Sequence, residues 1–117
     1  MSYDHRLLFE QVSLNLNRNP GLSLRKLARQ LRISRRTIQN VVSAFAGKRF
    51  SDLRDEIMLA KVQNLMLVTP VAAIKELAFE SGYRSPRSFA RAVRRACGES
   101  PQQLRARIAK DQIRLER

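Results

Sequence analysis

The sequence predicts an all-α protein, two helix-turn-helix lobes joined by a linker helix. Three observations carry that expectation: apolar residues recur at helical spacing, an internal repeat appears at an offset of about fifty residues, and two basic blocks flank a near-neutral centre. No segment shows the sustained alternation of a half-buried strand.

The elements follow in order. Leu7, Leu8, Val12, Leu14 and Leu16 mark a first helix that should stop near Asn17, before the loop Asn19-Pro20-Gly21. Ser23 caps a short second helix with Leu24, Leu27, Ala28 and Leu31 on one side. Ser34 caps a third, which should turn Ile38, Val41, Val42 and Phe45 inward and stop at Gly47. A longer segment from Phe50 to about Val68 places Leu53, Ile57, Val62, Leu65 and Met66 near one face, and Thr69-Pro70 breaks it. The pattern restarts with Ile74, Leu77 and Ala78 and passes through Gly82-Tyr83. At Ser85-Pro86 a cap and a first-turn proline open a further helix with Phe89, Ala92, Val93 and Ala96 inside, ended by Gly98. Ser100-Pro101 repeats the device for a last helix carrying Leu104 and Ile108.

The repeat ties these elements together. Leu24, Leu27 and Ala28 recur fifty residues later as Ile74, Leu77 and Ala78. Beyond the turns the offset becomes fifty-one, matching Ser34, Ile38, Val42 and Gly47 to Ser85, Phe89, Val93 and Gly98, so the second unit has one extra turn residue. Two short helices, the second opening on a capped, Arg-rich turn, are what a helix-turn-helix needs to prop one helix and present the end of another. The expected organisation is a first lobe over 1–50, a linker helix over 51–69 and a second lobe with the C-terminal helix over 70–117.

Charge narrows the partner. The 117 residues carry 23 Lys+Arg against 10 Asp+Glu, a formal +13. Residues 1–50 contribute +8, residues 51–83 contribute −2 and residues 84–117 contribute +7. A polyanion is the partner such a balance favours. One Cys, Cys97, and one His, His5, make no disulfide, zinc site or Cys/His couple, so no metal and no cofactor are expected. Cys97 reads as a small buried residue and His5 as exposed near the terminus. The acids are few and scattered, with no paired carboxylates, activated nucleophile or phosphate-cradling glycine loop, and no catalytic residues are expected. A sequence-indifferent nucleic-acid binder accounts for the charge but not for two capped helices carrying Gln39, Asn40 and spaced arginines. A pure protein-interaction module leaves the basic blocks unexplained. No apolar run approaches a membrane span and no leader follows Met1, so no membrane association and a cytoplasmic, nucleoid-associated address are expected.

Over residues 6 to 107 the chain resembles the DNA-binding domain of the AraC/XylS family of bacterial transcription regulators, in particular its small members without an effector domain. The specific residues are Ile74-x-x-Leu77-Ala78, Gly82-Tyr83, Phe89, Val93, Gly98 and Ser100-Pro101 in the second unit. Leu24-x-x-Leu27-Ala28, Ile33 to Ile38, Gly47 and Phe50 agree in the first. The resemblance implies seven helices, homeodomain-like lobes, sequence-specific binding to double-stranded DNA at bacterial promoters and, for activators, contact with RNA polymerase. The chain departs from the family at Met58, where Arg is usual, at Val62, where a small Ala is usual, and at Val71-Ala72-Ala73, which supplies no polar cap.

Inward packing of Ile38, Val41 and Val42 leaves Arg35, Arg36, Gln39 and Asn40 outward on the first recognition helix. The family pattern points to Arg36, Gln39 and Asn40 as base readers, residue types suited to guanine and adenine edges. Ser34, Arg35 and Thr37 near the helix start, and Lys48 and Arg49 after it, are expected on phosphate. In the second lobe Arg87, Ser88 and Arg91 are the expected base contacts, and Arg84, Arg94 and Arg95 the expected phosphate contacts. A linker of about 18 residues spans roughly 27 Å. Major grooves on one DNA face repeat at about 34 Å, so one chain can reach two successive grooves and bind as a monomer.

Overall fold

The computed structural model describes residues 4–115, and among them it contains seven helices and no strand. These are α1 (His5–Arg18), α2 (Leu24–Leu31), α3 (Arg35–Ala46), α4 (Phe50–Val68), α5 (Ile74–Glu80), α6 (Pro86–Cys97) and α7 (Pro101–Leu115). No helix is long and apolar enough to cross a membrane among the described residues.

Local chemistry sets the boundaries. The hydroxyls of Ser23, Ser34 and Ser85 accept the backbone N–H of Lys26, Thr37 and Ser88, each at 3.1 Å, satisfying donors that a helix start leaves orphaned. Gly47 and Gly98 close α3 and α6 in the left-handed conformation, at φ 68° and 79°. Ser100 and Gln103 form a reciprocal capping box at the start of α7, with bonds of 2.9 and 3.1 Å. Before α5 the residue is Ala73, which offers no side-chain cap. Arg105 of α7 reaches this turn instead and donates to the Ala72 carbonyl.

Two separate cores form. Leu8, Val12, Leu16, Leu22, Leu27, Ile38, Val41 and Val42 build the first, closed by Phe50 and Leu53 at the head of α4. Leu77, Ala78, Phe89, Ala92, Val93 and Leu104 build the second, closed by Met58, Val62 and Met66 further along the same helix. At 3.6 residues per turn the two buried stripes of α4 lie roughly 140° apart around its axis. The apolar residues of α4 therefore do not share one face, as their spacing had suggested. The body that results is elongated, 55 × 31 × 22 Å.

Four further expectations are refined or corrected. Phe45 does not point into the core: it is 48% exposed, and its ring stacks on Phe9 of α1 at a centroid distance of 5.6 Å. Ala46 of the same turn packs against the first core, and Phe9, at its edge, is the aromatic neighbour of the Phe45 ring. Leu7 and Leu14 are likewise half exposed, because α1 buries the i, i+4, i+8 set Leu8, Val12 and Leu16. That helix also runs one residue past Asn17, to Arg18. Cys97 is half-buried against the second core.

Phe89 is fully buried and packs against the Tyr83 ring at 5.7 Å, so it carries much of the second core. Phe89→Ala is expected to cost about 3–5 kcal/mol, read by urea denaturation. Chemical-shift changes should concentrate in α5, α6 and α7 and spare the packing of Leu27 and Ile38.

Candidate nucleic-acid interface

The two helices expected to meet DNA, α3 and α6, are built alike. Both α3 and α6 have 12 residues, a serine N-cap and a left-handed glycine C-cap. Burying Ile38, Val41 and Val42 on one side, and Phe89, Ala92 and Val93 on the other copy, forces the intervening residues outward. Arg35, Arg36, Gln39 and Asn40 are exposed on α3, and Arg87, Arg91 and Arg94 on α6 with Arg84 just before it. Among the described residues none of these arginines has an acidic partner.

Other candidates are already engaged. Lys48 donates to both carboxylate oxygens of Glu56 at 2.7 Å, and Arg49 pairs with Asp52 at 3.1 Å. Arg95 makes a two-pronged contact with Asp55, at 3.0 and 2.8 Å, which holds its guanidinium pKa above the usual arginine value. Thr37 and Ser88 occupy the same place in the two units. Each is half-buried and bonded back to its cap serine, at 2.8 Å for Thr37 and, through the Ser88 hydroxyl donating to the Ser85 carbonyl, at 3.0 Å. The Ser88 proton is thereby committed within the helix.

The structure also gathers residues that pattern reading missed. Ser43 continues the outward stripe of Arg36, Gln39 and Asn40. The i+7 spacing from Arg36 was the available signal. Ser43 lines a cleft of about 690 Å³ together with Gln39, Asn40, Lys48 and Arg54. Arg54 lies over the Phe50 ring at 5.8 Å, and no periodicity argument could have brought it from α4 to α3. His5 and Asn40 share a smaller cleft with Thr37. On α6 the residue matching Gln39 is Ala90, so the second stripe lacks an amide. Below it the buried Tyr83 hydroxyl has no hydrogen-bond partner, and burial pushes its pKa up, so the phenol stays neutral at ordinary pH. No cluster of three or more metal-ligating side chains occurs among the described residues.

Two like-capped helices presenting unpaired arginines and amides make a paired helix-turn-helix surface. The family model for a helix-turn-helix domain, of the AraC type, matches residues 27–107. The chain belongs to the AraC-type helix-turn-helix family. It is thus a DNA-binding transcription regulator, and its partner is double-stranded DNA. Among solved structures it is similar to the C-terminal domain of AraT, a response regulator from Geobacillus stearothermophilus, at 27% identity and a TM-score of 0.71, covering 90% of this chain and 85% of that one. An AraC-type transcriptional regulator from Chromobacterium violaceum shares the fold at 24% identity and a TM-score of 0.63, covering 84% and 88%. A DNA-binding transcriptional dual regulator from Escherichia coli K-12 does so at 23% and 0.63, covering 85% and 89%. No curated protein sequence matches the chain.

Asp55 is mostly buried and Arg95 half exposed, so their two-pronged pair contributes more than a fully exposed one, about 1–2 kcal/mol. Asp55→Asn is expected to lower stability by no more than that while releasing the guanidinium. The salt dependence of DNA binding should then steepen by about 0.9 in log–log slope, measured by fluorescence anisotropy across a salt series.

Proposed function

We propose that this regulator binds one asymmetric promoter site as a monomer, with α3 and α6 in successive major grooves on one face of the duplex. The observation that carries this reading is the matched pair of outward stripes, alike in length and caps and unlike in chemistry. Helix α4, at 19 residues, is about 28 Å long, close to the groove repeat of about 34 Å once the width of the lobes is added.

Within the stripes, Arg36, Gln39 and Asn40 are the base readers of the first lobe, Arg to guanine and the amides to adenine. Arg87 and Arg91 are those of the second, and Ala90 offers a methyl suited to thymine. Phosphate contact falls to Ser34, Arg35, Arg84 and Arg94, which carry no competing carboxylate. Thr37 and Ser88 hold the helix starts and touch DNA through the lone pairs left over from their cap bonds. Lys48, Arg49 and Arg95 divide their charge between phosphate and the acids of α4, so their share of the affinity is small. A lobe spacing shorter than the groove repeat bends the DNA towards the protein. Activation would add RNA polymerase as a second contact, and a cytoplasmic, nucleoid-associated address goes with the whole reading.

Selection of bound sites from random DNA, followed by footprinting, tests the central claim: two protected half-sites about one helical turn apart are expected. On the selected site, Gln39→Ala and Arg91→Ala should each relax preference at particular base pairs by about 1–3 kcal/mol. Arg94→Gln should weaken every sequence alike and lower the salt slope by about 0.9. Uniform weakening by all three substitutions overturns sequence-specific reading. Electrophoretic phasing of the selected site should show a bend, and straight DNA would count against rigid lobe spacing.

A further inference from the structure

Base reading leaves one contact unexplained, the place where the lobes touch. The α1–α2 turn, Asn19-Pro20-Gly21, lies against Gly82 in the turn of the second helix-turn-helix. A Cβ on Gly21 would overlap the Gly82 carbonyl oxygen and stand 2.8 Å from its carbonyl carbon. A Cβ on Gly82 would overlap the Asn19 side-chain oxygen, with the Asn19 Cγ 2.8 Å away. Asn19 is itself fixed, because that oxygen accepts the Gly21 N–H at 3.2 Å. A second tie lies alongside. Lys61, on the half of α4 that closes the second core, donates to the Asn17 and Arg18 carbonyls at 3.5 and 3.3 Å. These are among the last carbonyls of α1, in the first lobe, where a cation also suits the helix dipole.

The repeat supplies an internal control. Gly82 matches Arg32 of the first unit. Both are left-handed, at φ 88° and 56°. The next residue in each case bonds back to the matching alanine, Tyr83 to Ala78 at 2.9 Å and Ile33 to Ala28 at 3.0 Å. The turn therefore tolerates a full arginine side chain when that side chain points into solvent, as Arg32 does. Glycine at 82 answers to Asn19 and Gly21, not to the turn. Gly21 is outside the left-handed region, so its missing side chain also answers to the contact. The residue by which the second turn exceeds the first is Arg84, next to this junction.

We propose that the Gly21–Gly82 contact determines specificity for half-site separation: it fixes α3 relative to α6, so that spacing as well as base sequence selects the DNA. This rests on the two-groove reading above. One added base pair turns the second half-site by about 34° and moves it by about 3.4 Å. Two turns in backbone contact cannot follow such a change without parting.

The test starts from the site that the wild-type chain selects, with one base pair inserted or removed between its halves. Wild type should lose about tenfold or more in affinity on either change. Gly21→Ala adds one methyl, forces the turns apart and should reduce that discrimination to less than about threefold, with the base preference of each half retained. Gln39→Ala provides the contrast, weakening one half at every spacing. A folded Gly21→Ala protein that keeps wild-type discrimination overturns the proposal. So does wild-type binding to two half-sites with no spacing preference. A wild type that selects a single half-site removes the two-groove reading and the proposal together. Residual dipolar couplings of the free wild-type protein give a check that needs no variant. One alignment tensor should fit both lobes, and two distinct tensors overturn the lock.

Discussion

One helix with two buried stripes is the constraint on which the rest of the molecule depends. Phe50 and Leu53 must leave water on one side of α4, and Met58, Val62 and Met66 on nearly the opposite side. Neither lobe is complete without its end of α4, which ties the two cores together along one helix. Met58 and Val62, the two linker departures, are both fully buried. An arginine at 58 would need a partner for its charge in an apolar core, and methionine needs only volume. Valine at 62 adds apolar bulk to the same core.

On that frame the duplicated unit is copied closely in backbone and loosely in surface. Caps, helix length and the inward positions agree between α3 and α6, apolar in both though different in size, because each set is demanded by hydrogen bonding or burial. The outward residues diverge, Gln39 against Ala90 and Asn40 against Arg91, because nothing in the fold constrains them. The outward surface differs most in chemistry, which supports the proposed reading of an asymmetric site.

Legibility in the sequence follows the same division. Helix starts at Ser23, Ser34 and Ser85 and stops at Gly47 and Gly98 could be read because caps act over three or four residues. The outward stripes were legible for the same reason. Phe45 misled because periodicity reports a direction, not how far the core extends in that direction. The switch of faces along α4 was hidden, since its apolar residues look continuous until each is assigned to a core. The Arg95–Asp55 pair joins residues forty apart, and the Gly21–Gly82 contact joins residues farther apart still. Local rules have no access to either. What the sequence did hold was the change in offset from fifty to fifty-one, which located the altered turn without saying what it touches.

The acids of α4 bear on how a chain of +13 reads sequence instead of gripping any duplex. Asp52, Asp55 and Glu56 sit in its first two turns, and each pairs with a cation: Asp52 with Arg49 and Glu56 with Lys48, both just after α3, and Asp55 with Arg95 in the last turn of α6. Paired cations release fewer counterions on binding, so on the proposed reading these acids would trim the sequence-indifferent share of affinity. The arginines of the outward stripes keep their full donor sets because no carboxylate competes for them. An exposed ion pair adds little to stability. The three pairs at the head of α4 are better understood as shaping the field, leaving the unpaired charge on the outward stripes of α3 and α6.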